Sequence, residues 1–245
     1  MRPVRRGKSP QPHDFDPYRA AFPHLVSRLG NYCSYCERRI VSGLHVEHIQ
    51  PKDGAHGHPH LIGRWENFLL ACKNCNSTKK DKRVALADVL LPDRDNTFVA
   101  FAYSPDGAVG PSDGLPNTIT AMAEATLALT GLEKRPDIRL DEQDRPLAIE
   151  RTSQRMEAWL VAEEAKKDVD GNPENDAVRR AVVRTAMGYG FFSVWMTVFR
   201  QDPEMRTRLV DAFEGTAASS CFHPVTTLPV SPAPNPDGLA NGGKL

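Results

Sequence analysis

Apolar and polar positions change rhythm along this chain. In the first hundred residues the apolar runs are short and bounded by turn formers; further on they recur at helical spacing. Asp16-Pro17 has the form of a helix start, with Asp as N-cap and Pro at the first helical position. Phe22, Leu25, Val26 and Leu29 then repeat at three- and four-residue intervals until Gly30 stops them. Pro23 inside that run predicts a kink or two short helices. Leu44-His45-Val46-Glu47-His48-Ile49 reads as an extended stretch closed by Pro51. A polar loop rich in Gly and His continues to about residue 63, and Phe68-Leu69-Leu70-Ala71 is a second extended stretch. From Cys75 the chain reads helical and basic. The predicted order here is strand, loop, strand, helix.

Beyond Asp93-Arg94-Asp95-Asn96, a turn signal, residues 97–103 read as a strand and Pro105-Asp106-Gly107 as a hairpin turn. After a connector at 104–117 the periodicity becomes helical. Helices are expected at about 118–130, 145–168, 174–187, 190–200 and 203–214, with Trp159, Phe191, Phe192, Trp195 and Phe199 in their cores. The tail carries Pro224, Pro229, Pro232, Pro234 and Pro236 and is expected to lack packed structure. The expected fold class is α+β, in four regions: a basic N-terminal arm and helix over 1–31, a motif-bearing unit over 32–92, a hairpin with a helical scaffold over 93–216, and a disordered tail over 217–245.

Composition adds a partition. The chain has 245 residues and no net charge, but residues 1–92 carry 15 basic against 8 acidic side chains, an excess that residues 93–245 reverse. A basic part suits a polyanion such as nucleic acid; the acidic helices, with Glu157, Glu163, Glu164, Glu174 and Asp176, suit a protein partner. The longest strongly apolar run, Phe191 to Phe199, is far below the roughly 20 residues that span a bilayer. The N-terminus is basic without an apolar stretch behind it. A cytoplasmic protein with no membrane role is expected.

Four of the five cysteines form two C-x-x-C pairs, Cys33/Cys36 and Cys72/Cys75. In a reducing compartment, two such knuckles read as a structural Zn²⁺ site before they read as disulfides. Four thiolates on a dication leave a negative charge that Arg38, Arg39 and Lys73 are placed to offset. Cys221 stands alone and reads as a buried free thiol.

Between the knuckles lie Val46-Glu47-His48-Ile49, then Trp65-Glu66-Asn67-Phe68, and the second knuckle continues as Cys75-Asn76-Ser77-Thr78-Lys79. An acid directly before His, an Asn 19 positions later and a Cys-Asn-x-x-Lys run opening a helix together resemble the HNH endonuclease family over about residues 32–83. The resemblance implies a ββα-metal fold in its zinc-braced branch and hydrolysis of nucleic-acid phosphodiesters. His48 matches the general base, Glu47 and Asn76 the two protein ligands of a catalytic Mg²⁺ or Mn²⁺, and Asn67 the residue that holds the loop orienting the histidine. Lys52, Lys73, Lys79, Lys80, Lys82 and Arg83 would hold the phosphate backbone. The family's usual acid before His is Asp; Glu47 is one methylene longer.

The opening Met-Arg-Pro, Tyr32-Cys33-Ser34-Tyr35-Cys36-Glu37, Leu91-Pro92-Asp93-Arg94-Asp95-Asn96-Thr97-Phe98 and Ser193-Val194-Trp195-Met196 are similar to bacterial HNH proteins encoded beside an ATPase in Septu-type and some retron anti-phage systems. That similarity implies an ATPase partner. The competing reading is a non-catalytic zinc module that binds nucleic acid or protein; it needs the cysteines but not Glu47, His48 and Asn76. His45 falls on the same strand face as Glu47. His56, His58 and His60 alternate in a loop and read as solvated.

Overall fold

The computed structural model describes residues 1–245. Two small antiparallel sheets are set among eight α-helices. In the first sheet β1 (Leu44–His48) pairs with β2 (Phe68–Cys72) in the register Leu44 to Cys72 and His48 to Phe68. β2 passes directly into α2 (Lys73–Lys79), where the Cys72 sulfur accepts the Cys75 N–H as an N-cap. This ββα order is the one the sequence predicts, and the α+β class holds. All five β2 residues are buried, because α1 (Phe22–Leu29) packs on this sheet and places Leu25 and Leu29 in the same core as Phe68 and Leu70.

The start of the chain is not a free arm. Arg2 donates to the carbonyls of Leu29 and Glu214, and Arg6 donates to the carbonyls of Glu66 and Phe68 and to Asp93. Both side chains are buried, which only satisfied donors make tolerable. The first helix resolves the Pro23 conflict by dividing. A 3₁₀ turn at Tyr18–Ala21 precedes α1, and Pro23 sits in the first turn of α1, where its missing N–H costs nothing. Asp16 does not cap this helix; Pro17 occupies the N-cap of the 3₁₀ turn.

Two further expectations are corrected. The strand predicted over 97–103 is confined to β3 (Phe101–Tyr103), which pairs with β4 (Val109–Pro111) across the expected turn. Residues Thr97–Ala100 instead coil as α3. Asn96 donates from Nδ2 to the carbonyls of Cys221 and Val230, and Thr97 from Oγ1 to that of Met1; these long-range bonds commit both side chains to the chain's two ends rather than to a strand ladder. Those bonds also explain the tail. Residues 217–245 do not lack packed structure: Val230 N–H bonds the Cys221 carbonyl, Ala233 N–H the Leu245 carbonyl, and Lys244 pairs with Asp95. The proline-rich strip bonds within itself, as in the His223 N–H to the Leu228 carbonyl and the Gly238 N–H to the Asn235 carbonyl, and it also offers carbonyls that Asn96 and Arg94 use.

The helical part contains α4 (Asn117–Thr130), α5 (Asp144–Gly171), α6 (Asp176–Tyr189), α7 (Phe192–Val198) and α8 (Pro203–Ala212), close to the predicted bounds. Phe192, Trp195, Phe199 and Phe213 are its wholly buried aromatics. No helix is long and apolar enough to cross a membrane. The ββα unit is tied to this bundle through Glu37, which follows the first knuckle with a φ of 63°. Its carboxylate accepts the Ser193 N–H at 2.7 Å, the Ser193 hydroxyl at 2.7 Å and the Tyr103 hydroxyl at 2.9 Å. Burial acts to raise the Glu37 carboxyl, but the N-terminal ammonium and these bonds overcome it and hold it low.

Candidate metal centre and catalytic cleft

The two knuckles converge. The ligand atoms of Cys33, Cys36, Cys72 and Cys75 lie within 4.8 Å of one another and all four residues are buried. Cys36 Sγ and Cys72 Sγ are 3.8 Å apart. A tetrahedral ion with metal–sulfur bonds of about 2.3 Å requires sulfurs close to that separation, so the four thiols fit a metal ion. Cys221 is free and buried elsewhere, and burial pushes its thiol up to about 11.

Counter-charges for the thiolates differ from those expected. Arg38 lies beside Cys36 and Cys72, as predicted. Arg39 instead lines a groove with Tyr32 and Glu214, and Lys73 is exposed. Their places are taken by α5. Arg151 reaches Cys75 Sγ at 3.7 Å, Thr78 Oγ1 at 3.4 Å and the Gly131 carbonyl at 2.8 Å, while Arg155 feels the charges of Cys36 and Cys75. The signal was present in the sequence: two arginines four apart sit on the face that also carries Ala148, Ala158 and Ala162, where an unpaired charge would be costly.

Next to this centre is a polar cleft of about 480 Å³. Glu47 and His48 from β1 and Asn76 from α2 all line it. Strand alternation alone would send Glu47 and His48 to opposite faces. Both reach the cleft because β1 ends at His48 and the chain turns through Pro51, which also lines it.

His48 is fixed on three sides. Its Nε2 lies 2.9 Å from the Ile62 carbonyl, and its ring meets Tyr18 at 4.8 Å and Phe68 at 5.2 Å, both edge-to-face. A carbonyl only accepts, so Nε2 carries the hydrogen and Nδ1 is the free lone pair of the neutral ring. Burial lowers the His48 pKa below the ordinary imidazole value and favours that neutral ring. Asn67 does not approach the cleft. Its Oδ1 accepts the Gln50 N–H at 2.8 Å, its Nδ2 donates to the Gln50 carbonyl at 2.9 Å, and its own carbonyl accepts the Ile49 N–H. It clamps the two residues after His48 to the start of β2.

The basic residues divide into groups. Lys52 and Lys80 line the cleft and reach solvent. Lys79 also lines it but is no surface phosphate contact. It is 2% exposed, pairs with Glu47 Oε1 at 2.9 Å and donates to the His48 carbonyl at 2.8 Å. Tyr35 donates to the same Glu47 oxygen at 3.3 Å, so Oε2 has no hydrogen bond within the protein. Burial raises the Glu47 pKa against the opposing pull of Lys79. The cleft is not uniformly basic: Asp53 pairs with Lys52, and Asp81 accepts the Ala55 N–H. Lys73 lies outside it. Lys82 and Arg83 line a separate groove with Val89 and Leu129 of α4's neighbourhood. The helical, basic stretch read from Cys75 does not continue past Lys79: α2 ends there and Lys80 takes a φ of 48°. His58 and His60 meet edge-to-face at 5.8 Å, and the His56–His60 loop makes no cluster with other ligand-bearing residues.

A cysteine-braced ββα unit with a Glu-His pair and an Asn on one cleft matches a known pattern. The HNH endonuclease family profile aligns with residues 33–82. This segment is an HNH endonuclease domain. The chain is 26% identical over 140 residues to a candidate HNH endonuclease of retron Vc95 from Vibrio cholerae serotype O1 biovar El Tor, covering 54% of this chain and 66% of that protein. It is 40% identical over 58 residues to the Septu protein PtuB of Bacillus thuringiensis, covering 22% of this chain and 21% of that protein. The second alignment therefore covers about one fifth of its relative, and the first just under two thirds.

Proposed function

We propose that the protein is a metal-dependent endonuclease that hydrolyses nucleic-acid phosphodiester bonds at the cleft of its HNH domain. The observation that carries this reading is the convergence of Glu47, His48 and Asn76 on one polar cleft beside the four-cysteine centre. Zn²⁺ is the structural ion proposed for the cysteines, since four buried thiols suit it above harder cations. Glu47, through its unpaired Oε2, and Asn76 would hold the catalytic Mg²⁺ or Mn²⁺. That ion, when bound, supplies Lewis-acid polarisation of the scissile phosphate and charge stabilisation of the departing oxygen.

The protein's own groups supply the proton transfer. His48 takes the proton of the attacking water at Nδ1 while the Ile62 carbonyl holds Nε2–H and fixes the ring. Asn67 keeps that carbonyl's loop in register from the other end. Lys79 neutralises part of the Glu47 charge from behind and holds the His48 backbone, so it positions the pair rather than touching substrate. Lys52 and Lys80 meet the phosphate backbone.

The test is cleavage of plasmid, single-stranded DNA and tRNA with Mg²⁺, Mn²⁺ or no added divalent ion. His48→Ala is expected to lower the rate by about 10²–10⁴-fold, the usual worth of a positioned general base, with zinc content and melting unchanged. Wild-type turnover by a folded His48→Ala protein would remove His48 from the chemistry.

We further propose a role in a bacterial anti-phage system, which the retron and Septu names of the relatives support; an ATPase partner and a cytoplasmic site rest on the sequence reading alone. The acidic helix α5, with Glu157, Glu163 and Glu164 exposed, is the proposed docking surface; α6 sets Asp176 against Arg179, Arg180 and Arg184 and is not acidic. Replacing Glu157 and Glu164 with Lys should weaken association with an ATPase encoded beside this protein and leave intrinsic cleavage alone. The alternative of a silent zinc module would show metal-independent binding and no cleavage with any ion.

A further inference from the structure

A second groove of about 470 Å³ adjoins the catalytic cleft and shares Tyr18, Val46 and Asn76 with it. Its character is different. Where the cleft has Glu47, His48 and the lysines, this groove has Phe22, Leu44, Val46 and the ring of Tyr18, with Arg19, His45 and the shared Asn76 as its polar members. A nucleotide has the same division, a charged phosphate joined to a flat and largely apolar base. The groove lies within the range of about 300–1,000 Å³ typical of small-ligand pockets.

Tyr18 stands where the two spaces meet. It is half-buried, with Arg19 Cζ 5.6 Å and Lys52 Nζ 5.8 Å from its ring centre, and its ring contacts His48. An aromatic ring flanked by cations, beside a site that takes phosphate, is the arrangement by which proteins stack bases of single strands. Within a duplex the base faces are covered by their neighbours. Only an unpaired or extruded base offers a face to Tyr18 and can enter the apolar groove while its phosphate stays at His48.

We infer that this groove receives an unpaired nucleobase adjoining the scissile phosphate, with Tyr18 as its stacking platform. The inference rests on the nuclease reading above and narrows it: the substrate is a single-stranded or looped segment of DNA or RNA, and duplex is disfavoured. Strand state dominates specificity, because few side chains in the groove offer a hydrogen bond to a base edge: Arg19, His45, Asn76 and the Tyr18 hydroxyl.

The experiment measures binding of the full-length protein, without added divalent ion, to a twelve-nucleotide thymidine strand carrying one central 2-aminopurine. DNA and RNA forms are compared, each single-stranded and annealed to its complement. Expected are tighter binding of the single strand, quenching of 2-aminopurine on binding, and loss of both in Tyr18→Leu. The loss in affinity should be roughly 5- to 100-fold, the range for removing one base stack, and Tyr18→Phe should retain most of it. Arg19→Gln, at an exposed residue over the ring, should weaken binding a few-fold and serves if Tyr18→Leu fails to hold zinc. A preference for one sugar with quenching identifies the natural strand.

Equal binding of strand and duplex with unquenched 2-aminopurine would overturn the inference, as would full quenching by the Tyr18→Leu protein. Neither readout requires cleavage. A protein that binds and quenches but never cuts contradicts the nuclease reading alone; one that cuts duplex freely without quenching contradicts the groove alone.

Discussion

The HNH domain and the α5–α8 bundle bury different kinds of group. The bundle is closed by aromatic packing, with Phe192 edge-on to Phe213 at 5.3 Å and Trp195 stacked on Phe199 at 6.5 Å. Several of its ion pairs sit outside, such as Lys166 with Asp170 and Arg208 with Glu204 at four-residue spacing on exposed faces. Such pairs contribute little. The HNH domain and the flanking segments packed on it instead bury charges: Glu47 with Lys79 and four thiols around one point inside the domain, Arg6 and Arg94 with Asp93 beside it. The domain's sheet has only two strands of five residues, too little to enclose a core alone. The bundle is organised by hydrophobic area; the chemical unit is organised by polar groups that must all be satisfied together. A region built the second way holds its functional side chains in place tightly and fails abruptly when one partner is removed.

The largest break in that contrast should come from the metal centre. Structural zinc in small domains supplies apparent binding free energies of about 10–16 kcal/mol, which act as folding free energy. Cys72→Ser removes a ligand that also caps α2 and ends β2. We expect loss of bound zinc and loss of amide protection across residues 32–83, while α6 to α8 keep theirs. Hydrogen exchange with elemental analysis gives the answer, and uniform loss of protection throughout the chain would show that the two regions are not separable in stability.

A smaller effect comes from the buried charges themselves. Arg6 and Arg94 both bond Asp93, and all three are buried. Asp93→Asn leaves two buried guanidinium groups short of their anion. Breaking such a pair costs about 3–5 kcal/mol. The matched substitution in the bundle is Asp202→Ala. It deletes the carboxylate that accepts the Met205 N–H at the start of α8 and pairs with Arg179. Loss of an N-cap costs about 0.5–2 kcal/mol. Urea melts of the two proteins should rank in that order. Equal destabilisation would mean that burial of Asp93 has no special weight.

These same differences explain what could be read in advance. The helices of the bundle follow from apolar periodicity because packing decides them, and their bounds fall within a few residues of prediction. The HNH motif was legible because its chemistry requires fixed residue types at short spacing. What was not legible depends on distant partners. Nothing local distinguishes Lys79 from Lys80, yet the last turn of α2 aims one at Glu47 and the reversal at Lys80 turns the other to solvent. Arg2 and Arg6 look like a free basic arm until their acceptors, on Leu29, Glu214, Phe68 and Asp93, are folded around them. The tail looked disordered because its order comes from irregular turns and from anchors on Asn96 and Arg94, neither of which leaves an apolar periodicity in its sequence. Tyr18 belongs to no motif, and only the meeting of two clefts singles it out.

The smallest expected effect bears on the charge excess of the first 92 residues. Taken as a surface property it overstates what a polyanion meets, because Arg2, Arg6 and Lys79 are spent inside the protein. Of the cations left outside, Lys52 and Lys80 are at the catalytic cleft, whereas Lys82 and Arg83 line a groove of their own beside Val89 and Leu129. Each phosphate contact on a single strand adds about 0.7 to the slope of log affinity against log salt. Replacing Lys52 and Lys80 with Gln should therefore flatten that slope by a little over one, with Asp53 then losing its partner and subtracting further from affinity. Replacing Lys82 and Arg83 with Gln should change the slope less, since the Lys82 ammonium already lies 3.4 Å from the Ala128 carbonyl and its pKa is lowered mainly by burial. Salt titrations of both double variants on the same oligonucleotide decide between a strand that stays within the cleft and one that runs on past α2. A larger slope change from Lys82 and Arg83 than from Lys52 and Lys80 would place the main phosphate track along α4, away from the residues that carry the chemistry.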